Sequence, residues 1–240
     1  MSRTVIDAHN ISKTYNPKTI PVYAINNVHL HLKEGEFTAL VGPSGSGKTT
    51  LLNLIGGLDS PDSGNIFING TDITKLSKGE MINFRLHNIG FVFQSFNLVP
   101  VLTAKENAEF IMLLQGTKKK EREKRLQKLF KEIALEDKMN TRPAQLSGGQ
   151  QQRIAIARAL ASKPNFILAD EPTANLDSVT ATNLLDLMAR LNKEENITFL
   201  FSTHDQRVIE RARRVITLVD GRISSDTAVV STDFHEPSVK

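Results

Sequence analysis

The feature that most restricts the fold is the segment GPSGSGKT, residues 42–49, which separates two apolar stretches. The stretch before it, FTALV, has the composition of a short buried strand, and LLNLI follows at helical spacing. Because glycine adopts backbone conformations that other residues avoid, such a turn can aim several backbone N–H groups at one point. The positive end of the following helix adds to this attraction for anions. The segment therefore predicts a phosphate-binding loop in an α/β protein.

The residues of this loop have specific expected roles. We expect Lys48 to reach the β- and γ-phosphates of a nucleotide and Thr49 to ligate Mg²⁺. ATP and Mg²⁺ are thus the predicted ligands. The nucleotide-binding residues predicted in this region are Gly42, Ser44, Gly45, Gly47, Lys48, Thr49 and Thr50.

A second part of the site is predicted at FILADEPT, where an apolar strand ends in two carboxylates. Ligand sites in α/β proteins lie at the carboxyl ends of strands, and Asp170 stands at that position. We expect Asp170 to hold Mg²⁺ through water. Glu171 is the expected general base, or the group that orients the attacking water.

The chain also carries a second glycine-containing segment before a helix, LSGGQQQR, residues 146–153. Ser147 followed by Gly148 and Gly149 has the composition of a helix N-cap, and the same composition suits an anion site. Because the segment lies in a different part of the chain from the phosphate loop, we expect it to contact the ATP of a neighbouring copy. That expectation makes the nucleotide-loaded protein a homodimer.

The pattern of apolar residues predicts how the chain is organised. Strand-like runs occur at TVIDAHNI, PVYAINNVHLHL, EFTALV and NIFING, and again at FILAD, ITFLFST and RVITLVD. Residues from about 80 to 163 have mostly helical spacing, with one short strand at IGFVF. The resulting prediction is an α/β domain at 1–225 and a mobile tail at 226–240. Its core comprises about 1–85 and 164–225, and an inserted helical subdomain comprises about 86–163.

Composition restricts the class of protein further. The chain has no cysteine, which excludes disulfides and thiolate metal sites, and it has no apolar run long enough to span a bilayer. The net charge of +4 permits a nucleic-acid partner, but basic and acidic residues alternate in the predicted helix from Lys118. That helix has an apolar stripe: Leu126, Leu129, Phe130, Ile133 and Ala134. We therefore expect a surface helix and no nucleic-acid partner.

These segments resemble the ATP-binding subunits of ABC transporters from Val5 to about Ile223. The resemblance rests on the order of six segments: the phosphate loop, FVFQSFN, LSGGQ, FILADE, NLD and STHD. It implies a phosphate-loop NTPase core with an N-terminal antiparallel β subdomain and an inserted α-helical subdomain. It also implies an ATPase that dimerises on ATP.

The same resemblance implies roles for residues that have no clear role by themselves. It implies that Gln94 contacts Mg²⁺ or the attacking water, that His204 contacts the γ-phosphate, and that Asp177 lies across the subunit boundary. It implies that Tyr15, in SKTYN, stacks on adenine; a half-buried tyrosine at a strand end is the alternative. In the second glycine segment it assigns nucleotide contacts to Ser147, Gly148, Gly149 and Gln150.

Two further segments resemble one branch of the family. IGGLD at residues 55–59 and the segment from Ile89 to Phe110 are similar to the lipoprotein-releasing and macrolide-export ATPases. This implies a separate integral membrane permease subunit and a peripheral location on the cytoplasmic face of the cytoplasmic membrane. The loop SFNLVPVLTAKEN, with Phe96, Leu98, Val99 and Leu102, is either ordinary packing or a socket for a helix of that subunit.

Three alternatives remain at the level of function. One is an FtsE-like ATPase that regulates cell-wall hydrolases through a membrane partner. The second is an ABC ATPase that acts on nucleic acid or ribosomes; the absence of a long insertion and of a second cassette argues against it. The third is a nucleotide-gated scaffold that binds ATP and barely hydrolyses it, against which the presence of Glu171 and His204 argues.

Overall fold

A computed structural model describes residues 3–229 of the chain. The strands are β1 (Thr4–Tyr15), β2 (Val22–Lys33), β3 (Phe37–Val41), β4 (Ser63–Ile68), β5 (Thr71–Asp72), β6 (Ile89–Val92), β7 (Phe166–Asp170), β8 (Thr198–Ser202), β9 (Arg214–Val219) and β10 (Arg222–Ala228). The helices are α1 (Lys48–Ile55), α2 (Lys78–Asn88), α3 (Ala104–Leu114), α4 (Lys119–Glu132), α5 (Gly148–Ala161), α6 (Ser178–Glu195) and α7 (Gln206–Arg211). No helix of this range is long and apolar enough to cross a membrane.

The N-terminal part of the described range forms an antiparallel sheet with the strand order β2-β1-β4-β5. Along β2 the side chains alternate: Val28, Leu30 and Leu32 are buried, whereas His29 and His31 are exposed. This alternation is expected for a sheet that covers a core on one face and meets solvent on the other.

The larger sheet has the order β10-β9-β3-β8-β7-β6, and its neighbours from β9 to β6 are parallel. The apolar runs in β7 and β8 are buried, as expected for strands covered on both faces. Strands β3, β8 and β7 lie side by side, so their carboxyl ends meet at one edge of the sheet. The phosphate loop, Ser202 and Asp170 follow or end these three strands.

The boundary predicted for the inserted helical subdomain is wrong at its start. Strand β6 pairs in parallel with β7 and is the edge strand of the large sheet, so residues 89–92 belong to the core. After Val92 the chain continues through α3 and α4 before it reaches α5. The sequence predicts the strand itself, but its place in the sheet depends on pairing with residues about 77 positions away, as Ile89 with Phe166 shows.

The predicted start of the tail also needs correction. Strand β10 continues to Ala228, and Asp226 within it forms an ion pair with Arg214 on β9, with 2.7 Å between the guanidinium Nη2 and the carboxylate Oδ2. The segment SSDTA contains few apolar residues, so its strand character was not evident from hydrophobic spacing. Residues 230–240, the remainder of the predicted tail, lie outside the described range.

Helix α4 is the amphipathic surface helix that the sequence predicts. Leu126, Leu129 and Phe130 are fully buried, and Ile133 is buried directly after the helix end. Ala134 was wrongly included in the buried stripe, because it is exposed and has a φ of 53°. The left-handed residue ends the helix and turns the backbone away from the helical register.

Candidate functional site

The loop between β3 and α1 has the glycine geometry that phosphate binding requires. Gly42, Gly45 and Gly47 have φ values of 151°, 79° and 102°. A Cβ atom at Gly42 would collide with the carbonyl oxygen of Leu218, and one at Gly47 with that of Ala24. Both positions therefore need glycine for close backbone approach as well as for conformation.

Lys48 and the first turn of α1 supply positive charge at this loop. The Lys48 ammonium donates hydrogen bonds to the carbonyl oxygens of Gly42 and Pro43, at 2.9 and 3.0 Å. The first turn of α1 carries no acidic residue of its own that would offset the positive end of the helix dipole. The Ser46 hydroxyl is buried in the loop without a hydrogen-bond partner. These donors suit a triphosphate.

Thr49 and Asp170 lie together although 121 residues separate them. The Thr49 hydroxyl is 3.2 and 3.1 Å from the two carboxylate oxygens of Asp170, which ends β7. Hydroxyl and carboxylate oxygens are ligands that Mg²⁺ favours when substrate phosphates and water complete its coordination. Residues 3–229 contain no group of three or more His, Cys, Asp and Glu side chains that could hold a metal. A Mg²⁺ site built from this pair therefore depends on the phosphates.

Glu171 and His204 form a pair next to Asp170. The His204 Nδ1 is 2.8 Å from the Glu171 Oε1, and the other carboxylate oxygen, Oε2, is buried without a partner. The Glu171 side chain is only 17% exposed, whereas that of His204 is 75% exposed. Glu171 also has a φ of 47°, and its N–H donates to the Ser202 carbonyl at 2.9 Å. A left-handed non-glycine residue is strained, and such residues concentrate at functional sites.

The segment LSGGQ forms a helix cap, as its composition predicts. The Ser147 hydroxyl accepts from the Gln150 N–H, and the Gln150 side chain accepts from the Ser147 N–H at 2.9 Å, so the two residues form a capping box. Gly149 is buried, and a Cβ atom there would collide with the Thr180 methyl group. The start of α5 therefore packs directly against the start of α6.

Asp177 and Gln94 lie in loops near this helix start. Asp177 caps α6, because its carboxylate accepts from the Thr180 N–H at 3.0 Å and from the Thr180 hydroxyl at 2.6 Å. Gln94 is exposed in the loop after β6, and its carbonyl oxygen accepts from the Asn175 side chain at 2.9 Å. The capping role of Asp177 was missed from the sequence, although an aspartate directly before a helix is its usual signal.

Tyr15 is the last residue of β1 and remains 37% exposed. Its hydroxyl donates to the Asp59 carboxylate at 2.8 Å. Burial and the hydrogen bond to Asp59 raise the Tyr15 pKa, and the hydroxyl of Thr50, on the phosphate-loop helix, is close enough to the phenol to oppose this rise. The structure thus brings the predicted adenine-stacking residue close to the predicted phosphate site.

Asp205 is a further residue that the sequence reading missed. It accepts a 2.7 Å hydrogen bond from the Thr173 hydroxyl and pairs with the Arg207 guanidinium at the same distance. Arg207 in turn donates to the carbonyl oxygen of Ser178 at the start of α6. The Arg207 hydrogen bonds, assisted by Thr173, lower the pKa of Asp205 to about 2. Asp205 therefore connects the loop of His204 with the loop that follows Glu171.

Comparison with known proteins places this geometry in a family. A family model described as ABC transporter matches residues 25–174, more than half of the chain. The chain belongs to the ABC transporter family. The match spans the phosphate loop, LSGGQ and the Asp170–Glu171 pair. It confirms the expectation that this chain is an ATPase cassette.

Relatives that match most of the chain include members of the predicted branch. The chain is 45% identical over 226 residues to the ABC transporter ATP-binding protein MJ0796 of Methanocaldococcus jannaschii, covering 92% of this chain and 96% of that one. It is 41% identical to the lipoprotein-releasing system ATP-binding protein LolD of Legionella pneumophila, and this match covers 93% of this chain and 98% of that one. It is 42% identical to the macrolide export ATP-binding/permease protein MacB of Brucella abortus, covering 97% of this chain but only 36% of that one.

Solved structures confirm the predicted fold class. A dimeric structure of MJ0796 in a post-hydrolysis state, bound to ADP and Pi, has a TM-score of 0.87 and 43% identity and covers 94% of this chain. The same match covers 99% of the MJ0796 chain. The α/β cassette with an antiparallel β subdomain and a helical region is therefore the fold of this chain.

Proposed function

We propose that this ABC ATPase cassette binds Mg²⁺ with ATP, dimerises around two ATP molecules and drives a separate permease subunit in the membrane. One observation carries the catalytic part of the proposal. Lys48, the Thr49–Asp170 pair and the Glu171–His204 pair converge at the carboxyl edge of three adjacent parallel strands. That edge is where α/β proteins bind ligands.

In this proposal the backbone N–H groups of residues 42–50 and the Lys48 ammonium hold the phosphates. The Tyr15 ring stacks on the adenine. The residues that would hold Mg²⁺ are Thr49, Asp170 through water, and Gln94. When bound, the ion would neutralise charge on the phosphate oxygens.

Hydrolysis then proceeds by attack of water on the γ-phosphorus, while the bond from phosphorus to the β–γ bridging oxygen breaks. Glu171 orients the water and takes up its proton. His204 is exposed next to it and can donate a hydrogen bond to the γ-phosphate. Lys48 stabilises the charge that develops on the transferred group.

The dimer part of the proposal concerns the start of α5. Ser147, Gly148, Gly149 and Gln150, with Asp177 nearby, would contact the ATP bound by the second copy. The free backbone N–H groups of this helix start and its dipole favour an anion. The dimeric structures of MJ0796, to which this chain is similar over nearly its whole length, support a dimer here. In a two-fold dimer, the start of α5 in each copy would meet the phosphate loop of the other, which gives two equivalent ATP sites.

The membrane partner is proposed from an apolar groove of about 500 Å³ between the core and the helical subdomain. Its lining includes Leu58, Ile82, Phe91, Ile111, Leu114 and Arg158. The predicted socket residues are not among those that line it: Leu98 packs against the hydrophobic core, and only Asn97 of that loop reaches the groove. The groove lies beside the predicted socket and has the apolar lining that a short amphipathic helix needs.

Two further observations support a permease helix as the occupant. Arg158 of α5 donates to the carbonyl oxygens of Phe96 and Asn97, so the groove, the Gln94 loop and the helix that starts after Ser147 are linked. The relative MacB is named as an ATP-binding and permease protein, and this chain matches 36% of its length. A permease on a separate chain would place this protein at the cytoplasmic face of the membrane.

The catalytic proposal is tested with the purified chain by ATPase assay and size-exclusion chromatography. We expect Glu171→Gln to bind ATP, to lose hydrolysis and to elute as a dimer with ATP. Hydrolysis by this variant at the wild-type rate would show that Glu171 is not the base.

The partner proposal is tested by copurification, from detergent, of the membrane protein encoded next to this chain. Ile82→Asp should abolish copurification because it places a charge in the groove. The matched control is Val101→Asp, since Val101 is also highly exposed but does not line the groove. Retention of the partner by Ile82→Asp, or its equal loss in both variants, would remove the groove from the proposal.

A further inference from the structure

Asp59 is the last residue of the segment IGGLD, residues 55–59. In the structure its carboxylate accepts hydrogen bonds from three donors. Oδ2 accepts from the Tyr15 hydroxyl at 2.8 Å, and Oδ1 accepts from the Lys13 ammonium at 3.0 Å and from the Ser60 N–H at 2.7 Å. Both carboxylate oxygens are thus engaged, which holds the carboxylate in one orientation.

Lys13 contacts both Asp59 and the face of the Tyr15 ring. Its ammonium lies over the Tyr15 ring, 5.4 Å from the ring centroid, and also donates to the Ser60 carbonyl oxygen at 2.7 Å. The Lys13 side chain is only 13% exposed, so the cation is held in place. A cation over one face of an aromatic ring is attracted to that face, and a planar base would stack on the opposite one.

The protonation behaviour agrees with this geometry. Partial burial and the hydrogen bond to Asp59 raise the pKa of Tyr15. Burial works against ionisation of Asp59, but the hydrogen bonds from Lys13 and Tyr15 outweigh it and hold the pKa of that carboxyl below its ordinary value. The phenol therefore stays protonated and the carboxylate ionised near neutral pH, which is the state in which the bond is strongest.

Asp59 also connects the ring with the phosphate loop through α1. The turn that carries Asp59 closes on the end of α1, because the N–H groups of Leu58 and Asp59 both donate to the Asn53 carbonyl oxygen. The other end of α1 begins at Lys48, directly after the phosphate loop. One short helix therefore carries the phosphate-binding groups at its start and the support of the Tyr15 ring at its end.

We infer that Asp59 is a positioning residue that holds the Tyr15 ring, at a set distance from the phosphate loop, ready to receive the adenine of ATP. The inference rests on the proposed role of Tyr15. Its physical basis is pre-organisation: a ring already fixed by Asp59 and Lys13 does not have to be ordered when the nucleotide binds. Asp59 should therefore affect how tightly the base is held and not the chemistry at the γ-phosphate.

The test measures KM and kcat for ATP hydrolysis by the full chain, together with the inhibition constant of inorganic triphosphate as a competitor without a base. In Asp59→Ala we expect KM to rise about threefold to tenfold, the effect of leaving one interface side chain to be ordered on binding. The kcat and the triphosphate inhibition constant should stay within about twofold, since the phosphate loop is unchanged. Asp59→Asn, which keeps an acceptor for the Tyr15 hydroxyl, should lie between wild type and Asp59→Ala.

Asp62→Ala is the matched control. Asp62 accepts from the Thr14 N–H at 2.6 Å and, like Asp59, pairs with the Lys13 ammonium, at 3.7 Å, but it makes no hydrogen bond to Tyr15 among those of the described residues. The control therefore keeps the loss of a carboxylate beside Lys13 and leaves the Tyr15 hydrogen bond intact. All three constants should match wild type in this variant. A KM for Asp62→Ala equal to that of Asp59→Ala would overturn the inference, because loss of any nearby carboxylate would then explain the effect.

Tyrosine variants separate this inference from the proposed function. If Tyr15→Ala raises KM and Asp59→Ala does not, Tyr15 keeps its role and the role of Asp59 is refuted. If neither variant raises KM, the proposed adenine stacking itself fails. If Asp59→Ala raises both KM and the inhibition constant of inorganic triphosphate, Asp59 acts on the phosphate loop, and the inference is refuted. The effects of Tyr15→Phe and Asp59→Ala should be less than additive, and additive effects would exclude their hydrogen bond as the cause.

Discussion

The contact between Gly149 and Thr180 leads to a prediction about the packing of α5 against α6. Gly149 is buried in the first turn of α5, and a Cβ atom there would overlap the Thr180 Cγ2 methyl. At the neighbouring Gly148 the nearest atom to a new Cβ would be the Phe96 Cζ at 3.6 Å, an ordinary contact. Gly148→Ala is therefore a matched control with the same chemical change in the same helical turn.

The magnitude follows from two opposing effects. Replacing glycine by alanine within a helix gains up to about 1 kcal/mol, and Gly148→Ala should show part of this gain. Overpacking costs about 1–3 kcal/mol, and Thr180 cannot rotate away without losing its 2.6 Å hydrogen bond to Asp177, a charged acceptor worth about 1.5–3 kcal/mol. We expect Gly149→Ala to destabilise the chain by about 1–3 kcal/mol. For a chain of this size that is about 2–4 °C in Tm for each kcal/mol.

Thr180→Ser provides the rescue, because it removes the overlapping methyl group and keeps the hydroxyl that bonds to Asp177. Of the Thr180 atoms that serine keeps, those nearest to the alanine Cβ are Cβ at 3.5 Å and the hydroxyl oxygen at 3.7 Å, both ordinary contacts. Urea unfolding of the nucleotide-free chain, monitored by circular dichroism, gives the free energy of unfolding of four proteins: wild type, Gly149→Ala, Thr180→Ser and the double variant. A coupling energy near zero between the two substitutions, or a Gly149→Ala variant as stable as Gly148→Ala, would refute the reasoning.

Three other predictions concern single side chains. Glu171→Gln should lower kcat about 10²–10⁴-fold with unchanged ATP affinity, as judged by phosphate release and calorimetry; an unchanged kcat would contradict the assignment. Lys48→Ala removes charged phosphate contacts and should weaken ATP binding about 10–100-fold, whereas unaltered affinity would show that the ammonium does not reach the phosphates. The folded-state pKa of Asp205, about 2, lies below its ordinary value of 3.8, so its ionised form stabilises the fold above pH 3.8 and this is lost as the pH falls toward 2. The gap in urea midpoint between wild type and Asp205→Asn should therefore be larger at pH 6 than at pH 3, and equal gaps would exclude this linkage.

Several elements could be predicted because their signals are local. The glycines at 42, 45 and 47 and the apolar strand before them specify the phosphate loop, and the structure has the loop at those residues. The capping box of Ser147 and Gln150 follows from the residue types at N-cap and N3. The amphipathic spacing of α4 likewise predicts its buried face, with only Ala134, two residues beyond the helix end, misassigned.

Other features were not predictable, because they depend on which distant segments meet. The apolar run of β6 indicates a strand, but only its pairing with β7 assigns it to the core sheet. Strand β10 is polar and is stabilised by its ladder with β9 and by the Asp226–Arg214 ion pair, so hydrophobic spacing does not reveal its end. The apolar groove has walls from four separate parts of the chain, so no local pattern marks it.

The sequence by itself determined the chemical groups of the site: a glycine loop with Lys48 and Thr49, and carboxylates at the end of a strand. Those assignments depend on residue type and on neighbours a few positions away. Only the tertiary structure decided which groups meet, since Thr49 contacts Asp170 across 121 residues and Tyr15 contacts Asp59 across 44. The physical reason is that strand order brings loops together at one sheet edge, and strand order depends on long-range pairing that no local pattern encodes.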